Sequence, residues 1–198
     1  MRKSNKPMIF ISLGLLLVTA LGVFVGQALS PKKPISKKIK EAAVSQLEIG
    51  KTYEIYGELT LIDEQHYVYL FDDTDYESQE ELEEVQEENY PDQIYPALYY
   101  YQGEYKREGD NIYLKPTKEI SIFFETLADV KKKTYFQVTE TALTGNFEDQ
   151  AQLIKKDGVY MVSLGADDDN FQVIPSSAKL AKSSAEFLAN YTKANKKD

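Results

Sequence analysis

The chain has 198 residues and a net charge of −9, with no cysteine and no tryptophan. That length suits one modest domain plus an anchor, and the missing cysteine excludes disulfides, thiolate metal sites, cysteine nucleophiles and a lipid-modified cysteine. Residues 1–40 hold eight basic side chains and no acid, which leaves 32 acids against 15 bases beyond them; so acidic a body is repelled by phosphate backbones, which argues against nucleic-acid binding.

Three basic side chains (Arg2, Lys3, Lys6) precede an uncharged run over residues 8–29. As a helix this run spans roughly 33 Å, enough to cross a hydrocarbon core. A signal peptide has the same layout with a shorter apolar centre, and Gly26-Gln27-Ala28 offers a small-x-small cleavage site. The length of the run favours an uncleaved anchor. Five lysines follow the span, so a literal count of flanking charge favours a cytoplasmic body. A short basic N-terminus is itself hard to translocate, however, and the layout resembles the export signals of secreted Gram-positive bacterial proteins. The expected organisation is a cytoplasmic N-terminus (1–7), a single-pass membrane anchor (8–29), a basic linker (30–49) and an extracytoplasmic domain (50–198). The linker is expected to act as a solvated spacer or to be drawn to anionic headgroups or wall polymers.

Beyond Gly50 the hydrophobic period becomes two. "KTYEIYGELTLI" places Tyr53, Ile55, Gly57, Leu59 and Leu61 on one face of a strand. Asp63-Glu64-Gln65 breaks the pattern and "HYVYLF" returns as the second arm of a hairpin. His66, the only histidine, is read as a surface turn residue, since a lone histidine builds neither an ordinary zinc site nor a recognisable triad.

Residues 72–89, "DDTDYESQEELEEVQEEN", hold ten acids and no base. Asp73, Asp75, Glu77 and Glu84 stand at the oxygen spacing of a calcium-binding EF-hand, but Ser78 occupies the position where that loop needs glycine. The stronger reading is a solvated helix capped by Ser78 with Glu81 in the capping-box position, pinned by Leu82 and Val85. Glu80–Glu84, Glu83–Glu87 and Glu84–Glu88 repel at i,i+4, each costing a few tenths of a kcal/mol (~0.2–0.5). Glu80, Glu81, Glu83, Glu84, Glu87 and Glu88 are therefore candidates for docking a basic envelope protein.

"ALYYYQGEYK" reads as a strand, "REGDN" as a turn and "IYLK" as the return, with Pro116 ending it. Tyr99, Tyr101 and Tyr105 share one strand face, Leu98 and Tyr100 the other. Such a ladder lines a ligand groove or fills a barrel; with Tyr53 and Ile55 these tyrosines are the candidate ligand-binding set. Ile120, Ile122 and Phe124 alternate in "EISIFFE", and Lys131–Lys133 reads as a loop. "TYFQVTETAL" is rich in β-formers, Asp157-Gly158 marks a hairpin, "GADDDN" is a loop suited at most to a weakly held cation, and "FQVI" is a last strand. From Pro175 the period lengthens: a helix capped by Ser176 or Ser177 carries Leu180, Phe187, Leu188 and Tyr191 on one face.

These elements make a mainly β fold: an antiparallel meander of eight or nine strands closing into a barrel, with an acidic insert helix, a C-terminal helix and an N-terminal transmembrane helix. The order of strands then helix is similar to the lipocalin architecture, without the tryptophan of its usual Gly-x-Trp. An oligonucleotide/oligosaccharide-binding barrel over residues 50–126 is the second candidate. There is no phosphate-cradling glycine loop and no dinucleotide fingerprint. The expected role is a membrane-anchored extracytoplasmic binding or interaction module of the bacterial cell envelope, accessory to a membrane complex, without catalytic residues and with no cofactor beyond weak calcium. A lipocalin-like carrier of a small amphiphile or glycan and a carboxylate-based envelope hydrolase are the alternatives.

Overall fold

A computed structural model describes residues 43–91, 94–147, 151–163 and 171–194. The expected anchor over residues 8–29 lies outside the described residues, as do Gly165–Asn170 of the "GADDDN" loop. Among the described residues no helix is long and apolar enough to cross a membrane.

The body is mainly β. Twelve strands run in chain order: β1 Thr52–Glu54, β2 Glu58–Leu61, β3 His66–Asp73, β4 Ala97–Glu108, β5 Asn111–Phe123, β6 Thr134–Tyr135, β7 Gln137–Ala142, β8 Gln152–Lys156, β9 Val159–Ser163, β10 Phe171–Gln172, β11 Ile174–Ser176 and β12 Thr192–Lys193. The helices are α1 Gln79–Glu88, α2 Leu127–Lys132 and α3 Ser184–Leu188. Nine strands form one antiparallel path, β10-β9-β8-β5-β4-β3-β2-β1-β11, with β7 added on β5. Its two ends are a single stretch of chain: β10 pairs β9, and β11, one residue later, pairs β1. Val173 between them donates to Tyr160 O and accepts from Val44 N, both at 3.0 Å. The sheet is thus a nearly closed barrel, which leaves few strand edges to solvent. Closure needs residues 171–176, so the barrel is not completed within residues 50–126. Val44 and the buried Leu47 are built into the body, although both belong to the expected linker.

The structure departs from the sequence reading at four places. Residues 51–62 form two strands rather than one. Tyr56 takes φ 83° and the chain reverses, while a Cβ on Gly57 would stand 2.6 Å from Leu70 O and the Tyr69 hydroxyl. Glycine is what lets the turn approach β3 so closely. The reversal keeps the alternation in step, because Tyr53 lies opposite Leu59.

Pro116 does not end its strand. β5 continues to Phe123 through a bulge opposite Gln102/Gly103, where a residue without an N–H is tolerated. Thr117 Oγ1 donates to Gln102 O at 3.2 Å across this irregularity. Lys131 and Lys132 belong to the last turn of α2, with Lys133 as its left-handed cap, rather than to a loop. The C-terminal helix is only Ser184–Leu188 and is capped by Ser183, not Ser176 or Ser177. Leu180, Phe187, Leu188 and Tyr191 still converge on one surface, because an extended segment and a short helix lie together on the sheet.

Three clusters share the interior. Val68, Leu98, Tyr100, Ile120, Ile122 and Phe124 form the outer face of β3–β5, beneath that C-terminal segment. On the inner face, Tyr53, Ile55, Leu59, Leu61, Tyr67, Tyr105, Ile112 and Leu114 belong to a packed base. Farther along the same strands, Ala97, Tyr99 and Tyr101 pack with Tyr69, Phe71, Phe123 and Leu143. Tyr69 touches both inner clusters.

Candidate functional site

The two inner clusters differ in chemistry, and the bulge in β5 explains why. Before it, Leu114 lies opposite Tyr105 and Ile112 opposite Arg107; after it, Glu119 lies opposite Tyr101 and Ser121 opposite Tyr99. The extra residue shifts the alternation by one, so the inner face passes from Ile112 and Leu114 to Glu119, Ser121 and Phe123. The base is therefore aliphatic and aromatic, while the far end is aromatic with an acid set into it.

Rings form a continuous series at that end. Phe171 lies 6.2 Å from Tyr56, Tyr56 stacks on Phe71 at 5.6 Å and 11°, Phe71 on Tyr99 at 6.0 Å, and Phe123 meets Tyr99 edge-on at 6.3 Å. Tyr69 and Tyr101 pair alongside at 5.9 Å. The series runs from solvent to interior: Tyr56 is 60% exposed, Tyr99 9% and Tyr101 5%. Large exposed aromatics stacked on buried ones present apolar area at little conformational cost to a ligand.

Glu119 sits at the inner end of the series and is only 4% exposed. Ser121 Oγ donates to its Oε1 at 2.5 Å. Its Oε2 is buried with no partner in good hydrogen-bond geometry among the described residues, although the Tyr101 hydroxyl lies beside the carboxylate. A buried acceptor left without a donor costs about 1–3 kcal/mol, more when it is charged. A group of this kind set among rings is where an incoming donor gains most. Glu58 Oε2 is likewise buried without a partner among the described residues, and burial, then Tyr56, then the Glu58 charge raise the Tyr69 phenol. Asp73, exposed at the end of β3, has its carboxyl raised by partial desolvation and then by the charge of Asp72.

The phenols respond to the same field. Burial, followed by Asp73 and Glu81, pushes Tyr76 up to about 12. Burial and then Asp73 raise Tyr99; burial and then Glu119 raise Tyr101. All three are therefore neutral hydroxyls at physiological pH. Among the described residues the ion pairs join Lys51–Glu48, His66–Asp63, Lys106–Glu108, Lys115–Glu104, Lys118–Glu140 and Lys155–Asp110. None of these pairs includes Glu58, Asp73 or Glu119.

The ligand set expected from sequence is divided between the two ends. Tyr99 and Tyr101 stand beside Glu119. Tyr53, Ile55 and Tyr105 lie in the packed base, where the Tyr53 hydroxyl accepts from Glu48 N and the Tyr105 hydroxyl donates to Asp63 O, both at 2.7 Å. Glu119 escaped the sequence reading because "EISIFFE" reads as a strand with one wet face. The signal for it is Pro116 inside an otherwise continuous strand pattern, which implies a bulge and a change of face.

The acidic segment forms the helix expected of it. Ser78 Oγ accepts from Glu81 N at 3.2 Å, and Glu81 Oε2 accepts from Glu77 N, one residue outside a standard capping box. Leu82 is fully buried, Gln86 Nε2 donates to Ile94 O at 2.7 Å, and Gln79 Oε1 accepts from Leu127 N. These contacts fix α1 on the body and leave Glu80, Glu83, Glu84, Glu87 and Glu88 exposed, with Glu81 half-buried. Asp73 closes β3, Asp75 and Glu77 lie in the connection, and Glu84 is mid-helix. Among the described residues no group of three or more His, Asp or Glu gathers in metal-holding geometry. His66 is exposed at the start of β3, its Nδ1 2.9 Å from Asp63.

In comparisons with known proteins, no protein-family model, no curated protein and no solved structure matches the chain.

Proposed function

We propose that the chain is a membrane-anchored, extracytoplasmic binding module of the bacterial cell envelope, and that its binding surface is the aromatic end of the barrel. The ligand is a small amphiphile or glycan whose apolar face lies on the rings. The observation that carries this reading is the ring series that begins at exposed Tyr56 and ends at buried Glu119. A packed core alone has no need of an exposed tyrosine stacked at 5.6 Å on Phe71, nor of a buried carboxylate oxygen without a donor. The lipocalin-like alternative differs in needing an open interior. The base, where Leu59, Leu61, Ile112 and Leu153 are fully buried, favours binding at one end over a deep carrier cavity.

The anchor assignment rests on the uncharged run over residues 8–29. Two measurements test the proposal on the full-length chain in lipid nanodiscs and in membranes. Saturation-transfer NMR with 2-phenylethanol and phenyl β-glucoside is expected to give signal above empty discs for at least one probe; signal from neither counts against the binding surface. Protease added to intact cells is expected to remove the body; a body digested only after lysis overturns the outside location.

A second reading is supported by the exposed glutamates of α1, held rigidly by Leu82 and Gln86. They suit a basic envelope partner, bound through charge and sensitive to salt. Crosslinking from an α1 position in whole cells would recover such a partner; a crosslink pattern unchanged when Glu83, Glu84 and Glu87 become Gln speaks against it.

A further inference from the structure

We propose that the aromatic end of the barrel selects an organic ammonium, a protonated amine on a small apolar body, whose N–H donates to Glu119 Oε2 while its charge lies among the rings of Phe71, Tyr99 and Tyr101. This rests on the reading of that end as a ligand surface and adds the charge class of the ligand.

The first argument is hydrogen-bond polarity. An ionised carboxylate only accepts, so its companion must be a donor. Ser121 serves Oε1, and Oε2 has no partner in good hydrogen-bond geometry among the described residues, although the Tyr101 hydroxyl lies beside the carboxylate. Charge gives the second. Glu58, Asp73 and Glu119 surround the rings, and among the described residues no ion pair neutralises any of them. A carboxylate or phosphate ligand would be repelled there, whereas a cation gains from all three. The rings give the third, since aromatic faces attract cations and do so more strongly away from water.

The neighbouring strand completes the geometry. Thr141 of β7 stands opposite Glu119 and Thr139 opposite Ser121, both half-buried. Their hydroxyls are acceptors for the remaining N–H groups of a primary ammonium. The apolar body would then follow the rings outward to Tyr56. A neutral alcohol satisfies Oε2 but forgoes the charge.

The competing account makes Glu119 structural, an acid that serves only to hold Ser121. The two accounts differ in measurable ways. Three probes share a phenethyl or benzyl body: phenethylamine is cationic, 2-phenylethanol neutral and phenylacetate anionic. Saturation-transfer titrations use the full-length chain in phosphatidylcholine nanodiscs, with empty discs subtracted. Phenethylamine is expected to bind at least about tenfold more tightly than 2-phenylethanol, and phenylacetate more weakly than both. Glu119→Gln is expected to erase the preference for the amine, weakening phenethylamine at least about fivefold more than 2-phenylethanol. Ser121→Ala, which keeps the charge, is expected to retain the preference.

Equal binding of amine and alcohol to the wild type overturns the ammonium assignment and leaves the ring surface standing. No binding by any probe removes both. A preference that survives Glu119→Gln also overturns the proposal. If that variant does not fold, the wild-type ranking of the three probes decides alone.

Discussion

The Tyr100 ring lies flat on Phe187, with centroids 4.6 Å apart and planes 11° from parallel, and its hydroxyl donates to Ala181 O at 2.8 Å. This one contact joins residues far apart in the chain and seals the outer face of the sheet. Tyr191 adds a ring 5.3 Å from Phe187, and Ser184 N and Oγ donate to Gln102 Oε1. Because the outer face of β3–β5 is covered in this way around Leu98, Tyr100, Ile120 and Ile122, both faces of the strands are interior there, and Glu119 is enclosed.

Phe187→Ala is expected to destabilise the body by about 3–5 kcal/mol, the usual cost of deleting a buried aromatic ring. Tyr100→Phe removes only the hydroxyl and should cost about 1 kcal/mol. Urea unfolding midpoints compare the two. A loss below that of Tyr100→Phe in the alanine variant would mean that the C-terminal segment is not part of the core.

The bulge makes a second prediction. A Cβ on Gly103 would collide with Lys115 O and the Tyr67 ring. A backbone carbonyl opposite a bulge cannot swing aside as a side chain can. Gly103→Ala is expected to cost about 3 kcal/mol or to prevent folding, at the upper end of overpacking effects. Gly109, in the β4–β5 turn, has φ +62° and open space around the position of its Cβ. Gly109→Ala should cost only the left-handed strain, about 1–2 kcal/mol. Thermal midpoints that rank the pair the other way would refute this account of the bulge.

Asp73 ends β3 at a solvent-exposed position, so the pH dependence it gives the body is small. Partial desolvation by neighbouring atoms, then the charge of Asp72, raises its carboxyl above the ordinary 3.8. An acid whose folded value is raised binds its proton more tightly when folded. Its favourable contribution is therefore full below the unfolded value and is lost as pH rises through the folded one. Asp73→Asn has no such titration. The stability of the variant relative to wild type should be flat at low pH, rise through the folded value of Asp73, and level off above it. Urea midpoints measured from pH 3 to pH 7 follow this difference; a difference that falls with pH would show that the carboxylate is instead stabilised as an anion. Asp63 provides the opposite case in the same chain. The Gln65 N–H and then the His66 ring lower it, so its contribution is present above the unfolded value and lost as pH falls.

Features set by local chemistry were legible in the sequence. Asp157 and Gly158 adopt φ 54° and 83° between β8 and β9, as their turn chemistry requires. Ser78 caps α1, and the two faces of β4 divide at Tyr99 and Tyr100 as their alternation predicts. What was not legible depended on distant partners. Tyr56-Gly57 reverses the chain without breaking its period, so one strand and two look alike in sequence. Pro116 survives in a strand because it sits at the bulge opposite Gly103, where a residue without an N–H is tolerated. The strand expected at "FQVI" is present, but its division at Val173 into β10 and β11, which joins the two ends of the sheet, depends on distant partners. Glu119 combines these difficulties: a polar residue in an alternating strand reads as solvent-facing unless both faces are known to be covered.

Tyr56 separates binding from folding. Its φ of 83° places a side chain in the left-handed region, at a cost of about 1–2 kcal/mol. Tyr56→Gly relieves that strain, but it also frees the unfolded chain by about 0.5–1 kcal/mol and forfeits a ring stack worth about 0.5–1.5 kcal/mol. These terms nearly cancel, so stability should change by less than about 1 kcal/mol. Binding has no such compensation, because the outermost ring against Phe71 is gone. The 2-phenylethanol and phenethylamine titrations should therefore both weaken, by about fivefold or more, in a variant whose urea midpoint barely moves. If Tyr56 served only to shape the β1–β2 turn, glycine would serve better, and both probes would bind Tyr56→Gly as they bind the wild type. Unchanged titrations in that variant would remove the ring series as a ligand surface.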